Sequence, residues 1–178
     1  MKKSLLSLTM ALALGGASFQ VTTISVQAAE SSAQRAGRAA LLAIYKKVDL
    51  AMVKKDVSAM TFHLAPDYQG IAQTTGQVLN RAQSIAMMQQ LVTGSASGVR
   101  LNYTKCSTRA ISLTWRGKDA IVMAETTAVG KAQKAGRAAR MEQVSLTRDY
   151  WTPTAQGWKI RQSVESKSSV WVNGKRVT

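Results

Sequence analysis

Residues 148–160, RDYWTPTAQGWKI, are the stretch that decides the fold. The residues that lead into it alternate between apolar and polar side chains, which is the period of a β-strand. Gly157 supplies the backbone freedom for a turn, and Trp158 and Ile160 then resume the apolar side together with Val164. We therefore predict two long strands joined by a turn. A strand pair this long and this aromatic needs a layer of helices to cover it.

The alternation assigns the two sides of the first of these strands. Its apolar side consists of Val144, Leu146 and Tyr150, and its polar side consists of Gln143, Ser145, Thr147 and Asp149. Because the apolar side of a strand packs against the core, we predict that Tyr150 faces the interior. Asp149 then points the other way, since successive side chains alternate across a strand.

The preceding part of the chain supplies the covering layer. Apolar residues at helical spacing mark a first helix from about Ala36, with Leu41, Ile44, Tyr45, Val48 and Met52 on one stripe. Asp56 is a suitable N-cap for a short second helix. Asn80 and Gln83 have the spacing of a capping box that opens a third helix. After Gly98 the hydrophobic period changes from that of a helix to that of a strand.

Helices that are followed by a run of strands indicate the α+β class rather than alternating α/β. We predict three N-terminal helices packed on a curved antiparallel sheet of long strands, with a small hairpin between the second and third helices. One domain over residues 36–172 accommodates all of these elements. Residues 30–35 are small and polar, which predicts a disordered N-terminus, and residues 173–178 are predicted to form a basic tail.

Residues 1–29 have the pattern of a secretory signal peptide. Lys2 and Lys3 precede an apolar run over residues 5–17, and Ala28 ends a small-x-small sequence typical of a cleavage site. The alternative is an uncleaved membrane anchor. The shortness of the run disfavours it, because a helix needs about 20 apolar residues to span a bilayer. We therefore expect an exported protein, periplasmic or extracellular.

The chain is strongly basic. Its formal net charge of +15 falls by two, to +13, when Lys2 and Lys3 are removed. Export argues against nucleic acid as the partner and favours an anionic envelope component, such as lipid headgroups or acidic glycans. Four basic residues without an acid stand close together in one segment: Lys131, Lys134, Arg137 and Arg140. We expect this segment to project as a basic loop that binds an anionic surface; the alternative is a solvated connection without a partner.

The sequence contains few residues that could bind a metal ion through a thiolate or an imidazole, or form a disulfide. Cys106 is the single cysteine and His63 the single histidine. Neither an intrachain disulfide nor a His/Cys zinc cluster can therefore form. We predict an inert, partly buried thiol at Cys106, no metal site and no cofactor.

Four short motifs occur in a characteristic order: Lys55-Asp56, Ala65-Pro66-Asp67-Tyr68, Thr75-Gly76-Gln77 and Gly157-Trp158-Lys159-Ile160. Over about residues 36–172 the chain resembles the nuclear transport factor 2-like superfamily, with its SnoaL-like and DUF4440-type domains of cystatin-like fold. The resemblance implies a cone-shaped α+β barrel with a pocket at its mouth, and a possible homodimer formed through the sheet. Members include isomerases, dehydratases, ligand binders and interaction modules, so the fold alone does not choose a function.

The same resemblance indicates where a site would lie. Isomerases of this type need a carboxylate base late in the first short strand, where this chain has Ala72, Gln73 and Thr74, so their chemistry is not matched. A dehydratase-like site would instead use His63 with Asp67 as a general base; the alternative places His63 on the outside of a short helix. The side chains expected to line the pocket are Tyr45, Tyr68, Tyr103, Trp115 and Tyr150.

Three functions remain open from the sequence. The first is an exported protein with a small pocket that binds an apolar or amphipathic small molecule or acts as an interaction module. The second is an isomerase- or dehydratase-type enzyme that uses His63 and Asp67. The third is a basic envelope-binding protein that uses the loop at residues 131–140.

Overall fold

A computed structural model of the chain describes residues 30–93 and 99–177. The predicted signal peptide at residues 1–29 lies outside the described residues. The described residues form, in order, α1 (Ser32–Lys54), α2 (Val57–Thr61), β1 (Leu64–Ala72), β2 (Gln77–Asn80), α3 (Arg81–Thr93), β3 (Val99–Arg116), β4 (Asp119–Lys134), β5 (Arg137–Thr154), β6 (Gly157–Val172) and β7 (Lys175–Arg176). Helices precede a run of long strands, so the predicted α+β class is confirmed. Within these residues, no helix combines the length and the apolar character needed to cross a membrane.

Local hydrogen bonds explain where α2 and α3 begin. The Asp56 carboxylate accepts a hydrogen bond of 3.0 Å from the Ala59 N–H. Asn80 and Gln83 exchange two bonds of 2.9 Å, each between the side-chain oxygen of one residue and the backbone N–H of the other. Both are the caps that the sequence predicts, and they satisfy backbone N–H groups that the first turn of a helix leaves without a partner.

Helix α1 begins earlier than predicted, so the expectation of a disordered segment at residues 30–35 is wrong. The Ser31 hydroxyl accepts from the Gln34 N–H at 3.2 Å, and the Gln34 side chain accepts from the Ser31 N–H at 2.9 Å. Just before this capping box, Glu30 forms an ion pair with Arg38 and accepts a hydrogen bond of 3.0 Å from Trp115 Nε1. These bonds hold the first turn of α1 against the sheet.

The strands form one sheet in the order β2-β1-β6-β5-β4-β3, and β7 pairs with β6. All neighbours are antiparallel except β1 and β6, which run parallel, so the sheet is mixed rather than wholly antiparallel as predicted. Bulges interrupt the register of β3 between Tyr103 and Lys105 and between Ala110 and Ser112. Because a bulge bends its strand and increases the twist, these long strands curve around α1.

The concave side of β5 is its polar side, which reverses the prediction. Gln143, Ser145, Thr147 and Asp149 face the helices. Tyr150 lies on the convex side, so its predicted inward orientation is wrong. In β6 an extra residue at Arg161 breaks the alternation, which places Ile160 and Ser163 on the concave side and leaves Val164 off it. The physical reason is that much of the concave side lines a cavity, where polar groups are tolerated, rather than a packed core.

The hydrophobic core lies between α1 and the middle of the sheet. Its buried members are Leu41, Ile44, Tyr45, Tyr68, Ala120, Val122, Ala124, Trp151 and Ile160. Trp115 and Trp158 extend the core at one end, where their ring centroids are 6.1 Å apart. Both rings pack against Gly37 of α1, where a Cβ atom would lie only 2.7 Å from the Trp115 ring. A glycine inside this helix therefore allows two tryptophans to reach its backbone.

The C-terminal residues fold back onto the sheet. Asn173 and Gly174 form a turn, and Lys175 and Arg176 pair with the end of β6. The segment predicted as a basic tail is therefore part of a small hairpin as far as residue 177, because its backbone completes the hydrogen bonding of the last long strand.

Candidate functional site

A cavity of about 360 Å³ lies between the helices and the concave face of the sheet. Its helical wall is mainly apolar, with Tyr45 and, at the end of α1, Lys55 as the polar members, and its apolar members are Ile44, Val48, Met52, Met60, Met87, Met88, Leu91 and Val92. Its sheet wall is mainly polar and includes Thr126, Gln143, Ser145, Thr147, Asp149 and Ser163. A ligand in this cavity would meet hydrocarbon and thioether groups on one side and hydroxyl, amide and carboxyl groups on the other.

Asp149 is the buried member of the polar wall, with 4% of its surface exposed. The Tyr45 hydroxyl donates to its Oδ2 atom at 2.6 Å, and the Ser163 hydroxyl donates to its Oδ1 atom at 2.6 Å. Trp151 Nε1 donates in turn to the Tyr45 oxygen at 3.1 Å. Every polar group of this network has a partner, which is the condition for burying such groups without a large cost in stability.

The pKa values of the network follow from its burial. Desolvation raises the pKa of the Asp149 carboxyl, and hydrogen bonds from Ser163 and Tyr45 oppose that rise. Burial, and then the charge of Asp149, raise the pKa of Tyr45 far above its ordinary value. The same causes raise the pKa of Tyr68 to about 12. Both phenols therefore keep their protons near neutral pH and act as hydrogen-bonding groups rather than as bases.

His63, one of the two predicted catalytic residues, lies at the cavity. Its Nδ1 atom is 3.0 Å from the carbonyl oxygen of Trp158. Because a carbonyl oxygen only accepts, Nδ1 must carry the proton, and Nε2 holds the lone pair when the ring is neutral. The ring also meets Trp151 edge to face, with centroids 6.2 Å apart. A backbone carbonyl thus sets the tautomer of His63.

Asp67 lies outside the cavity, so the predicted pair of His63 and Asp67 does not form. Its side chain is 53% exposed and makes an ion pair with Arg161. The neighbouring Tyr68 is buried and lines the cavity. Since adjacent side chains of a strand point to opposite faces, an inward Tyr68 requires an outward Asp67.

The structure places three of the five predicted pocket aromatics at the cavity, namely Tyr45, Tyr68 and Tyr103. Trp115 is not among the lining residues: its ring lies beneath Gly37, and its Nε1 is bound to Glu30. Tyr150 is on the convex face, because its neighbours Asp149 and Trp151 both line the cavity and side chains alternate along a strand. Trp151, whose orientation the sequence leaves open, lines the cavity instead.

A larger cleft of about 800 Å³ adjoins the cavity and shares part of its lining. The residues common to both include Met52, Met60, Tyr68, Met87, Met88, Ser163 and Glu165. On the far side the cleft is bounded by the β1–β2 hairpin. Glu165 of β6 stands where the two spaces meet, and burial raises the pKa of its carboxyl.

Cys106 has no place in this site. Its Sγ lies 3.4 Å from Asp49 Oδ1, and Asp49 also accepts hydrogen bonds of 2.8 and 2.7 Å from the backbone and hydroxyl of Thr108. Burial, followed by the charge of Asp49, raises the pKa of the Cys106 thiol to about 12. The thiol is therefore unreactive at neutral pH, as predicted. Among the described residues, no group of three or more His, Cys, Asp or Glu side chains is placed to hold a metal ion.

The four predicted basic residues lie on an ordered hairpin rather than on a loop. Strand pairing continues to Lys134 and Arg137, so residues 135–136 alone connect β4 to β5, both with positive φ. This is the two-residue turn that hairpins favour. Lys131 stands directly opposite Arg140, and Lys134 directly opposite Arg137. All four side chains are exposed, and together they form what we term the basic hairpin.

Asp149, Ser163 and Glu165 are site residues that the sequence reasoning missed. For Asp149 a signal existed: four polar residues at every second position of a strand that helices must cover can mark the wall of a pocket. For Ser163 and Glu165 no such signal existed, because the extra residue at Arg161 shifts them to the concave side. A bulge of this kind has no sequence pattern of its own here.

No protein-family model matches the sequence, and no curated protein matches it. Solved structures do resemble the fold. A conserved protein from Planctomyces limnophilus DSM 3776 superimposes with a TM-score of 0.60 at 11% identity, over 73% of this chain and 94% of that chain. A protein from Kribbella flavida gives a TM-score of 0.57 at 14% identity, over 75% and 93%.

An NTF2-like protein from Cytophaga hutchinsonii gives a TM-score of 0.50 at 16% identity, over 72% of this chain and 95% of that chain. At identities this low the likeness concerns the fold and says nothing of activity. The three helices, the curved sheet and the pocket between them agree with it. The chain therefore has the cone-shaped α+β fold of the nuclear transport factor 2-like superfamily, and the resemblance seen in its sequence is confirmed at the level of the fold.

Proposed function

We propose that this chain is an exported binding protein whose cavity holds a small amphipathic molecule. The observation that carries the proposal is the division of the cavity into a mainly apolar helical wall and a mainly polar sheet wall. Its volume of about 360 Å³ falls within the range of roughly 300–1,000 Å³ that is usual for small-molecule sites. The four methionines of the helical wall can adapt to an irregular apolar shape, because thioether side chains are flexible and polarisable.

Binding accounts for this site better than catalysis does. Both oxygens of Asp149 already accept hydrogen bonds, and Tyr45 and Tyr68 keep their protons. His63 is oriented by a carbonyl group rather than by a carboxylate. The pair of histidine and carboxylate that the sequence predicts as a general base is therefore not formed.

Export is part of the proposal and rests on the sequence of residues 1–29. It places the binding function outside the cytoplasm, where an amphipathic ligand is available from an envelope or from the medium. A pocket that shields apolar surface from water suits such a ligand, since the transfer of hydrocarbon out of water provides about 25 cal/mol per Å² buried.

Native mass spectrometry of the protein from its host tests the binding function. We expect a bound small molecule in the parent and its loss in Ser145→Phe, because Ser145 lines the cavity and a phenyl ring would fill it. Val144→Phe is the matched control: it changes the neighbouring position, whose side chain lies on the convex face. Equal ligand occupancy in the two variants, or an empty parent protein, would overturn the proposal.

A second candidate function is attachment to an anionic surface through the basic hairpin. The specific observation is that like charges stand directly opposite each other in two cross-strand pairs, Lys131 with Arg140 and Lys134 with Arg137. Such pairs oppose folding slightly, so they contribute nothing to stability that would explain them. Because Lys131 and Lys134 are three residues apart, the two pairs lie on opposite faces of the hairpin, and a polyanion that surrounds its tip would interact favourably with both.

A further inference from the structure

The charge of the larger cleft is opposite to that of the chain. Lys and Arg number 24 in the sequence against 9 Asp and Glu. Nevertheless, the described residues that line the cleft include one charged side chain, Glu165, and no Lys, Arg or His. Residues 94–98, which the structure does not describe, contain only Gly, Ser and Ala. The one charged group among the described lining residues of the cleft is therefore a carboxyl group, and the adjoining cavity adds Lys55, His63 and Asp149.

Glu165 makes a hydrogen bond with Ser168, but it has no cationic partner among the described residues. Glu30, Asp67 and Glu125 each form an ion pair with an arginine. In the part of the chain that the structure describes, Glu165 has no such ion pair, although its side chain is partly buried. A carboxylate that is withdrawn from water without a cation is costly, and burial raises its pKa accordingly.

The surroundings of Glu165 are suited to an organic cation rather than to a hydrated metal ion. Met52, Met60, Met87 and Met88 line both the cleft and the cavity, and they provide an extended apolar surface. Tyr68 lines both spaces as well, and the face of a tyrosine ring attracts cations. A divalent metal ion would need several oxygen ligands, which Glu165 by itself does not supply.

We propose, as a refinement of the binding function proposed above, that the ligand is a cationic amphiphile whose ammonium group pairs with Glu165 while its hydrocarbon part lies along the four methionines. The ligand would supply the positive charge that Glu165 lacks. Repulsion from the basic surface does not prevent this, because solvent-exposed charges are screened beyond about 8 Å at physiological salt. Contact with Glu165 inside the cleft therefore decides whether a cationic ligand binds more tightly than a neutral or an anionic one.

Three probes with the same ten-carbon chain test the inference: decylammonium, 1-decanol and decanoate. Each is titrated into the full exported chain, with the ε-methyl NMR signals of the cleft methionines as the readout, so that adsorption to the basic surface is not counted. We expect decylammonium to bind about tenfold or more tightly than 1-decanol, and decanoate to bind most weakly. Glu165→Gln should abolish the preference, so that decylammonium binds to the variant no more tightly than 1-decanol does.

Glu142→Gln is the matched control, because Glu142 belongs to the same sheet but does not line the cleft. It makes the same change in net charge and should keep the preference for decylammonium. If no probe perturbs the methionine signals, the binding function itself fails. If 1-decanol or decanoate binds as tightly as decylammonium to the parent chain, the binding function stands and only the cationic ligand class is overturned. The comparison of the three probes on the parent chain tests the cationic ligand class even if Glu165→Gln does not fold.

Discussion

The phenol of Tyr45 in α1 donates a hydrogen bond of 2.6 Å to Asp149 in β5, two residues that are 104 positions apart in the chain. This bond fixes the helix against the polar side of a central strand. It also completes the hydrogen bonding of a carboxyl group that is 4% exposed. The bond lies where the packed core meets the cavity. The same contact therefore contributes both to the stability of the fold and to the shape of the site.

Tyr45→Phe should destabilise the protein by about 2 kcal/mol, because it leaves the buried Asp149 without one donor and Trp151 Nε1 without its acceptor. Urea unfolding measures the change. Tyr103→Phe is the control, since the Tyr103 hydroxyl makes only a long contact of 3.4 Å with Gln143, and it should cost less than about 1 kcal/mol. Equal losses in the two variants would contradict the importance assigned to the Asp149 network.

Gly130→Ala should destabilise the fold by about 2–3 kcal/mol, in the range of other overpacking changes. A Cβ atom at Gly130 would lie 2.2 Å from the backbone oxygen of Asn102, at the position where β3 bulges. Backbone atoms cannot yield as a side chain can. Gly70→Ala is the comparison, because its nearest contact is a side-chain atom, the Tyr68 hydroxyl oxygen at 3.1 Å, rather than backbone. A thermal melt in which Gly130→Ala loses no more than Gly70→Ala would show that β3 and β4 can separate there.

Changing Lys131, Lys134, Arg137 and Arg140 together to Gln should reduce retention on anionic liposomes without lowering the melting temperature. Exposed charges contribute roughly 0–1 kcal/mol each to folding, and here the opposed pairs repel. Salt at about 0.5 M should reproduce the loss in the parent, because it screens the same attraction. Liposome co-sedimentation at low salt measures the effect.

The control for this variant carries the same change in charge elsewhere. Lys46, Lys47, Lys54 and Lys118 are exposed and lie outside the basic hairpin, and their replacement by Gln should affect retention much less. If both quadruple variants lose retention equally, net charge alone is responsible and the hairpin is not a dedicated surface. If neither loses it, the second candidate function is abandoned.

The exported protein should begin at Ala29 or Glu30, as the leader pattern of residues 1–29 predicts. Intact mass of the protein recovered from the exported fraction measures the start. Replacing Lys2 and Lys3 by Glu should cause the precursor to accumulate, because the positive n-region is required for export. Recovery of the parent as an intact Met1 form in soluble cytoplasm would refute the prediction.

Much of the fold was predictable because its signals are local. The caps at Asp56 and at Asn80 with Gln83 involve residues three apart, and both form as predicted. The start of α1 differs from the prediction although Ser31 and Gln34 have the spacing of a capping box, because a run of small polar residues by itself indicates disorder. The pairing of β1 with β6 was also missed, since a parallel neighbour some 90 residues away leaves no local trace.

The candidate site was predictable only in part. Tyr45, Tyr68 and His63 reach the cavity, and each lies on or beside an element whose position follows from the order of the chain. Asp67 does not reach it, because strand alternation turns it outward once Tyr68 is buried. Asp149 reaches it against prediction, because the polar side of β5 lines a space and not a core.

The sequence by itself determined the class of fold, the order of its elements and the basic character of the chain, since periodicity, caps and charge depend on residues close together. Only the tertiary structure decided which side of each strand faces the pocket. That choice depends on the bulge at Arg161 and on bonds such as the one between Tyr45 and Asp149. The free-energy cost of burying the Asp149 carboxyl is offset by hydrogen bonds from Tyr45 and Ser163, which other parts of the chain supply.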